Sequence, residues 1–247
     1  MKIILLKRKT LVTVTFISIL FLFSIFCAVL NFIKSANNDS CSKVIVIDPG
    51  HGGIDGGTTL SGLLEKDVNL YIAKKLKSYL QEKGFEVKMT RDKDVSLDGL
   101  SKEGSTRHLR DLNARVNIIN SCNATLFLSI HVNCHLKNPS ANSAIVFFSS
   151  KYPDSKALAA NVQKELNAIT INGNKRREHE PHLADYFILN NSDIPGVIVE
   201  TAFISNDYDR SLLKTDEFKD ELAKAIAAGA ENYFKENHSN TQQSVLY

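Results

Sequence analysis

Val44-Ile45-Val46-Ile47 is an apolar run with no polar alternation, and it breaks into Asp48-Pro49-Gly50-His51-Gly52-Gly53. A strand that is apolar on both faces belongs in the middle of a parallel sheet with helices on either side. The glycines after it mark a loop whose backbone takes unusual conformations or approaches another group closely. A chain with such a strand needs two layers of helix to cover it.

The rest of the sequence supplies those layers. From Glu65 to Lys83, Val68, Ile72, Leu76, Tyr79 and Leu80 recur at helical spacing with lysines opposite, and Gly84 stops the run. Phe85 to Thr90 alternates as a strand, and a strand-helix-strand unit defaults to a parallel pair. A polar loop is expected from Asp92 to Arg110. The pattern then predicts a helix over Leu112 to Asn120, strands over Thr125 to Val132 and Ser143 to Ser149, and a helix over Lys156 to Ala168. Strands over Tyr186 to Leu189 and Gly196 to Thr201 follow, then a long helix over Phe218 to Phe234 that Thr215, Asp216 and Glu217 cap and start. The expected fold class is α/β, a three-layer α/β/α sandwich with a mostly parallel mixed sheet.

Leu11 to Ile33 is uncharged and long enough to cross a hydrocarbon core of roughly 30 Å as a helix. Lys2, Lys7, Arg8 and Lys9 precede it, so the N-terminus stays in the cytoplasm and the rest of the chain is exported, facing the outer side. Lys34 stands where a signal cleavage site needs a small residue, which favours an uncleaved membrane helix. The expected organisation is an N-terminal anchor over 1–34, a linker over 35–42, a globular domain over 43–237 and a tail over 238–247.

The net charge of +3 comes from this leader, since residues 1–34 hold five basic residues and no acid. Beyond it, 25 basic residues face 27 acidic ones, which leaves no electrostatic footprint for nucleic acid. Cys122 and Cys134 flank a strand that would hold them on the order of 30 Å apart, so no disulfide joins them.

Ligands of open α/β sheets collect at the carboxyl ends of the strands. Three apolar strands here end in chemistry: the first in Asp48 and His51, Thr125 to Val132 in His131, and Gly196 to Thr201 in Glu200. Two histidines and a carboxylate suit a catalytic zinc, and Glu65, at the start of the helix after the His51 loop, meets the same sheet edge. Each has a plainer reading: the histidines as hydrogen-bonded core residues, Glu65 as an acid favoured by the helix dipole. Glu200, behind Val197-Ile198-Val199, is either a desolvated general base with a raised pKa or half of a structural ion pair with Arg115. Asp48 either orients a metal-binding histidine or caps the turn. Glu178-His179-Glu180-Pro181-His182 is dense in ligand types, but its polar, proline-containing setting reads as a solvated loop, with His182 lining a substrate groove.

Taken together, Val46 to Gly53, Glu65, Ser129-Ile130-His131-Val132-Asn133 and Val199 to Asn206 resemble the zinc-dependent N-acetylmuramoyl-L-alanine amidase family. The resemblance spans about residues 43–236 and rests on separated motifs in the family's order. It implies a zinc ion held by His51, Glu65 and His131, with Glu200 as catalytic acid and base. It implies hydrolysis of the amide between the lactyl group of muramic acid and L-alanine in peptidoglycan. Asn133 and Arg115 lie in matching motifs and join Asp48 and His182 as supporting or substrate-lining candidates. Asp111 to Val116, and a bare catalytic domain behind a hydrophobic segment, resemble the germination-specific amidases of spore formers, whose cortex chemistry leads to muramic-δ-lactam. Ala202 stands where the family usually has glycine. An accessory protein that controls zinc binding is a further expected partner. The alternatives are another zinc peptidase of the wall, such as a carboxypeptidase, and a non-catalytic wall-binding module.

Overall fold

The computed structural model describes residues 16–29 and 43–244, with side chains to residue 236. The chain divides into two units, Met1–Ser42 and Lys43–Tyr247. In the first, residues 16–29 form helix α1, with Phe16, Phe21 and Leu22 largely exposed. Among the described residues no helix is long and apolar enough to cross a membrane. The expected membrane segment extends at both ends beyond the described residues, and the expected linker lies outside them.

The second unit is built on a six-stranded sheet in the order β4-β1-β5-β10-β6-β9. Its strands are β1 (Val44–Pro49), β4 (Glu86–Met89), β5 (Leu126–Asn133), β6 (Ile145–Phe148), β9 (His182–Leu183) and β10 (Gly196–Phe203). β4, β1, β5 and β10 run parallel, β6 is antiparallel to β10, and β9 is parallel to β6. Two small hairpins, β2 (Thr59–Leu60) with β3 (Leu63–Leu64) and β7 (Thr170–Ile171) with β8 (Asn174–Lys175), stand apart from it.

Strand residues alternate between faces, and the core divides accordingly. Ile45 and Ile47, Leu126, Leu128 and Ile130, and Val197 and Val199 join the larger cluster with the apolar stripes of α2 (Glu65–Glu82), α4 (Pro153–Asn167) and α7 (Asp216–Ser244). Val46, Phe127 and Ile198 point the other way. They pack under α3 (Arg107–Ser121) and α5 (Phe187–Asn191). The same alternation carries Asp48, Ser129, His131 and Glu200 onto the α3 face at the carboxyl ends of the parallel strands. A short helix, α6 (Asp207–Leu213), leads into α7.

Several elements differ from the sequence expectation, among them α7, whose helix runs on to Ser244 through most of the expected tail. Tyr186 to Leu189, expected as a strand, instead caps and begins α5. β9 already holds the sheet edge, so this short apolar run crosses the second face, where Ile188 and Leu189 are buried. The expected loop before α3 contains a 3₁₀ turn at Asp98–Leu100, and α3 starts at Arg107 with Thr106 Oγ1 accepting from the Leu109 amide at 3.1 Å. α4 starts earlier than its apolar periodicity suggests because Pro153 is preorganised for a first helical turn. Cys122 and Cys134 are free thiols.

Candidate metal centre and active site

His51, Glu65 and His131 converge although they come from a loop, a helix start and a strand end. Glu65 Oε1 lies 3.1 Å from His51 Nε2 and 3.1 Å from His131 Nδ1. The imidazoles meet edge to face with centroids 5.1 Å apart. Ligand atoms at 2.0–2.1 Å around a tetrahedral ion stand about 3.4 Å from each other, so this spacing suits zinc. Among the described residues this is the one group of three or more His, Cys, Asp or Glu side chains arranged to hold a metal ion. Two imidazoles and one carboxylate leave a fourth position open, as a catalytic rather than a structural site requires.

Local geometry explains the convergence. His51 sits in the left-handed region at φ 61°, which turns its side chain back toward the sheet. Gly50 passes so close to His131 that a Cβ there would lie 2.1 Å from the imidazole. Gly57, at φ 64°, lets the loop close over Glu65, whose Oε2 accepts from the Thr58 amide at 2.8 Å. After Glu200 the pairing of β10 with β5 shifts register, and Thr201 Oγ1 donates to the His131 carbonyl at 2.9 Å.

The electrostatics follow from burial and pairing. Burial opposes a charged His51, but the Glu65 and Asp55 carboxylates override it and push its pKa up to about 9. Burial likewise opposes an ionised Glu65, and hydrogen bonds from His131 and His51 hold it far below the usual carboxylate range. Glu200 behaves in the opposite way. Burial raises its pKa to about 7, against the pull of His131. Its Oε2 is shielded from solvent and has no hydrogen-bond partner. A carboxyl kept at that pKa beside a metal site is suited to moving protons near neutrality.

Arg115 does not pair with Glu200. Its guanidinium donates to Asp48 at 2.7 Å, Asp111 at 2.6 Å, the Pro49 carbonyl at 2.8 Å and the His51 carbonyl at 2.7 Å. Asp48 therefore has a different role from orienting a histidine. Its carboxylate is used up by Arg115, Thr90 and Ser129, which leave neither oxygen hydrogen-bonded to an imidazole. Burial would raise its pKa, and Arg115 with the two hydroxyls lowers it instead. The residue that does orient a histidine is Asp55, whose Oδ2 lies 3.0 Å from His51 Nδ1 and leaves Nε2 facing Glu65. An aspartate four residues after a histidine in a glycine-rich loop reads as a turn former, and that spacing was its sole signal.

A cavity of about 390 Å³ opens beside these groups. His51, His131 and Glu200 line it, with Arg115 and Leu112 on one wall and Tyr186 and Phe187 on the other. His182 does not. It sits exposed on the edge strand β9, packed edge to face on Phe147, which in turn packs on Tyr186. Asn133 is not in the lining either, and its carbonyl accepts from the Ile204 amide at 2.8 Å. His179 is engaged by the Asn142 carbonyl at 2.9 Å, which takes it out of any metal cluster with His182.

Residues 45–232 match the family described as N-acetylmuramoyl-L-alanine amidase. The chain belongs to that family. The germination-specific N-acetylmuramoyl-L-alanine amidase of Bacillus subtilis is 35% identical over 230 residues, covering 90% of this chain and 92% of the relative. The CwlD amidase of Clostridioides difficile, solved in complex with the GerS lipoprotein, superposes with a TM-score of 0.69 at 33% identity, covering 78% of this chain and 98% of that one. The amidase AmiC2 of Nostoc punctiforme gives 0.65 at 34% identity, covering 79% and 99%. The α/β sandwich of this amidase is thus the fold of its family.

Proposed function

We propose that this amidase is zinc-dependent and hydrolyses the amide between the lactyl group of muramic acid and L-alanine in peptidoglycan. His51 Nε2, Glu65 and His131 would hold the ion. When bound there, zinc supplies Lewis acidity that polarises the amide carbonyl and acidifies a water. Glu200 takes the proton of the attacking water as the new C–O bond forms, and returns it to the alanine nitrogen as the C–N bond breaks. A lactyl carboxylate and a free peptide amine result. The apolar walls of the cavity limit solvent around Glu200 and keep its proton affinity near the operating pH.

The observation that carries this reading is the shielded, unpartnered Glu200 Oε2 in the same cavity as both histidines. Peptidoglycan digested with zinc, and with a chelator, tests it by product analysis. Muramic acid freed from intact stem peptides in the zinc arm alone is the expected result. Single amino acids released from the stem would point to a carboxypeptidase, and no products at all to a wall-binding module.

The similarity to a germination-specific relative supports work on spore cortex, where stem removal precedes muramic-δ-lactam. The charge order around residues 11–33 supports an exported catalytic domain, and Lys34 at the would-be cleavage site supports an uncleaved anchor. Fractionation of cells carrying the full chain or a chain lacking residues 1–34 checks this, with the full chain expected in membranes. The lipoprotein seen with the Clostridioides relative supports an accessory partner that favours the zinc-loaded state by mass action. Zinc occupancy should rise on adding extracts of sporulating cells.

A further inference from the structure

Arg91 is buried at the end of β4, a strand that supplies no candidate ligand. Among the described residues no carboxylate forms an ion pair with it. Its acceptors are all main-chain carbonyls: Nε donates to Pro49 at 2.9 Å, Nη1 to Lys93 at 3.0 Å, and Nη2 to both Gly50 at 2.9 Å and Lys66 at 3.0 Å. Burying a guanidinium with no carboxylate in contact is costly even with Asp48, Asp94 and Asp111 nearby, so stability alone is a poor account of it. The two carbonyls on Nη2 are informative. Gly50 immediately precedes His51, and Lys66 immediately follows Glu65. One nitrogen therefore joins the neighbours of two candidate ligands that arise from different elements.

We propose that Arg91 is a positioning residue of the metal centre, spanning the His51 loop and the Glu65 helix so that the ligand separation is set before metal arrives. The proposal rests on the reading of His51, Glu65 and His131 as metal ligands. The loop is wrapped around the side chain, since a Cβ on Gly52 would lie 3.0 Å from Arg91 Cδ and Nε. Asn69 adds a weaker tie of the same kind, donating through Nδ2 to the Gly50 carbonyl at 3.2 Å and standing 3.5 Å from Glu65 Oε1. Arg115 shares the Pro49 carbonyl with Arg91 and also holds that of His51, but it makes no hydrogen bond to α2. Lysine cannot replace Arg91, because one ammonium lacks the planar fork that addresses four carbonyls at once.

The test uses the folded 43–247 unit within the full chain, with zinc affinity measured by chelator competition and ligand geometry read from the visible spectrum of the cobalt(II) form. Arg91→Lys and Arg91→Met should weaken zinc about 10- to 100-fold, the range for groups that orient metal ligands, and should alter the cobalt spectrum. Leu80→Ala, about 22 Å along α2 from Glu65, should lower the thermal midpoint while leaving affinity and spectrum unchanged. If Arg91→Met does not fold, Arg91→Lys decides. Wild-type affinity and spectrum in the folded Arg91 variants would overturn the proposal. Failure of the wild type to bind zinc or cobalt would instead overturn the ligand reading on which it rests.

Discussion

Arg115 donates to Asp48 across 2.7 Å in a pair that is almost wholly buried. That pairing commits Arg115 to the first strand, and no arginine or lysine forms an ion pair with Glu200 among the described residues. Breaking a buried pair by removing one member leaves an uncompensated charge, typically at a cost of about 3–5 kcal/mol. Arg115→Met should therefore lower unfolding free energy by roughly that amount in denaturant titrations. An unchanged midpoint would mean that the pair contributes nothing to the fold.

Glu200→Gln keeps the shape of the side chain and removes its basicity. Turnover of muropeptide should fall by about 10²–10⁴, while zinc content measured on the purified variant stays at the wild-type level. Retained activity would remove Glu200 from the role of base.

The pH profile should carry the same signature. With its pKa raised to about 7, Glu200 is protonated and unable to accept a proton on the acid side. The rate constant kcat/KM should fall as pH drops through an apparent pKa at or below that value, since a bound cation pulls it down. The acid limb should vanish in Glu200→Gln at its residual rate.

Raised pKa and stability are linked with a definite sign. Below about 4.5 Glu200 is protonated in both folded and unfolded chains and has no differential effect. Between 4.5 and about 7 the folded state holds the proton more tightly, so stability falls as pH rises, by up to about 3 kcal/mol. Chelated Glu200→Gln should thus melt above the chelated wild type at pH 8 and level with it at pH 4, as read by calorimetry.

Asp55 engages His51 Nδ1, and Gly50 yields its side-chain space to His131. Asp55→Ala should weaken zinc about 10- to 100-fold with little loss of fold. Gly50→Ala should displace the His131 ring and abolish zinc binding outright. Chelator competition separates the two effects, and circular dichroism checks that both variants remain folded.

Much of this was legible in the chain. The unbroken apolar run Val44 to Ile47 demanded a sheet covered on both faces, and helical spacing from Val68 to Leu80 named one of its covers. His51, His131 and Glu200 stood out because each follows an apolar strand, and Glu65 because it starts the helix after the His51 loop. Those signals are local, since side-chain period and strand ends are written in adjacent residues. The run Tyr186 to Leu189 is ambiguous in sequence because a short apolar segment has no period long enough to separate strand from helix.

The partners of the site were a tertiary matter. Nothing near Asp48 in the chain says that Arg115 will claim it, and nothing near Asp55 marks it as the residue that orients His51. Arg91 looks like an ordinary loop cation until the fold brings the carbonyls of Gly50 and Lys66 to the same nitrogen. Sequence determined which residue types reach the rim of the sheet, because alternation along a strand assigns each side chain a face. Which of those groups pair, and which remains unpaired and proton-hungry, depends on distances between elements far apart in the chain, and packing alone decides those.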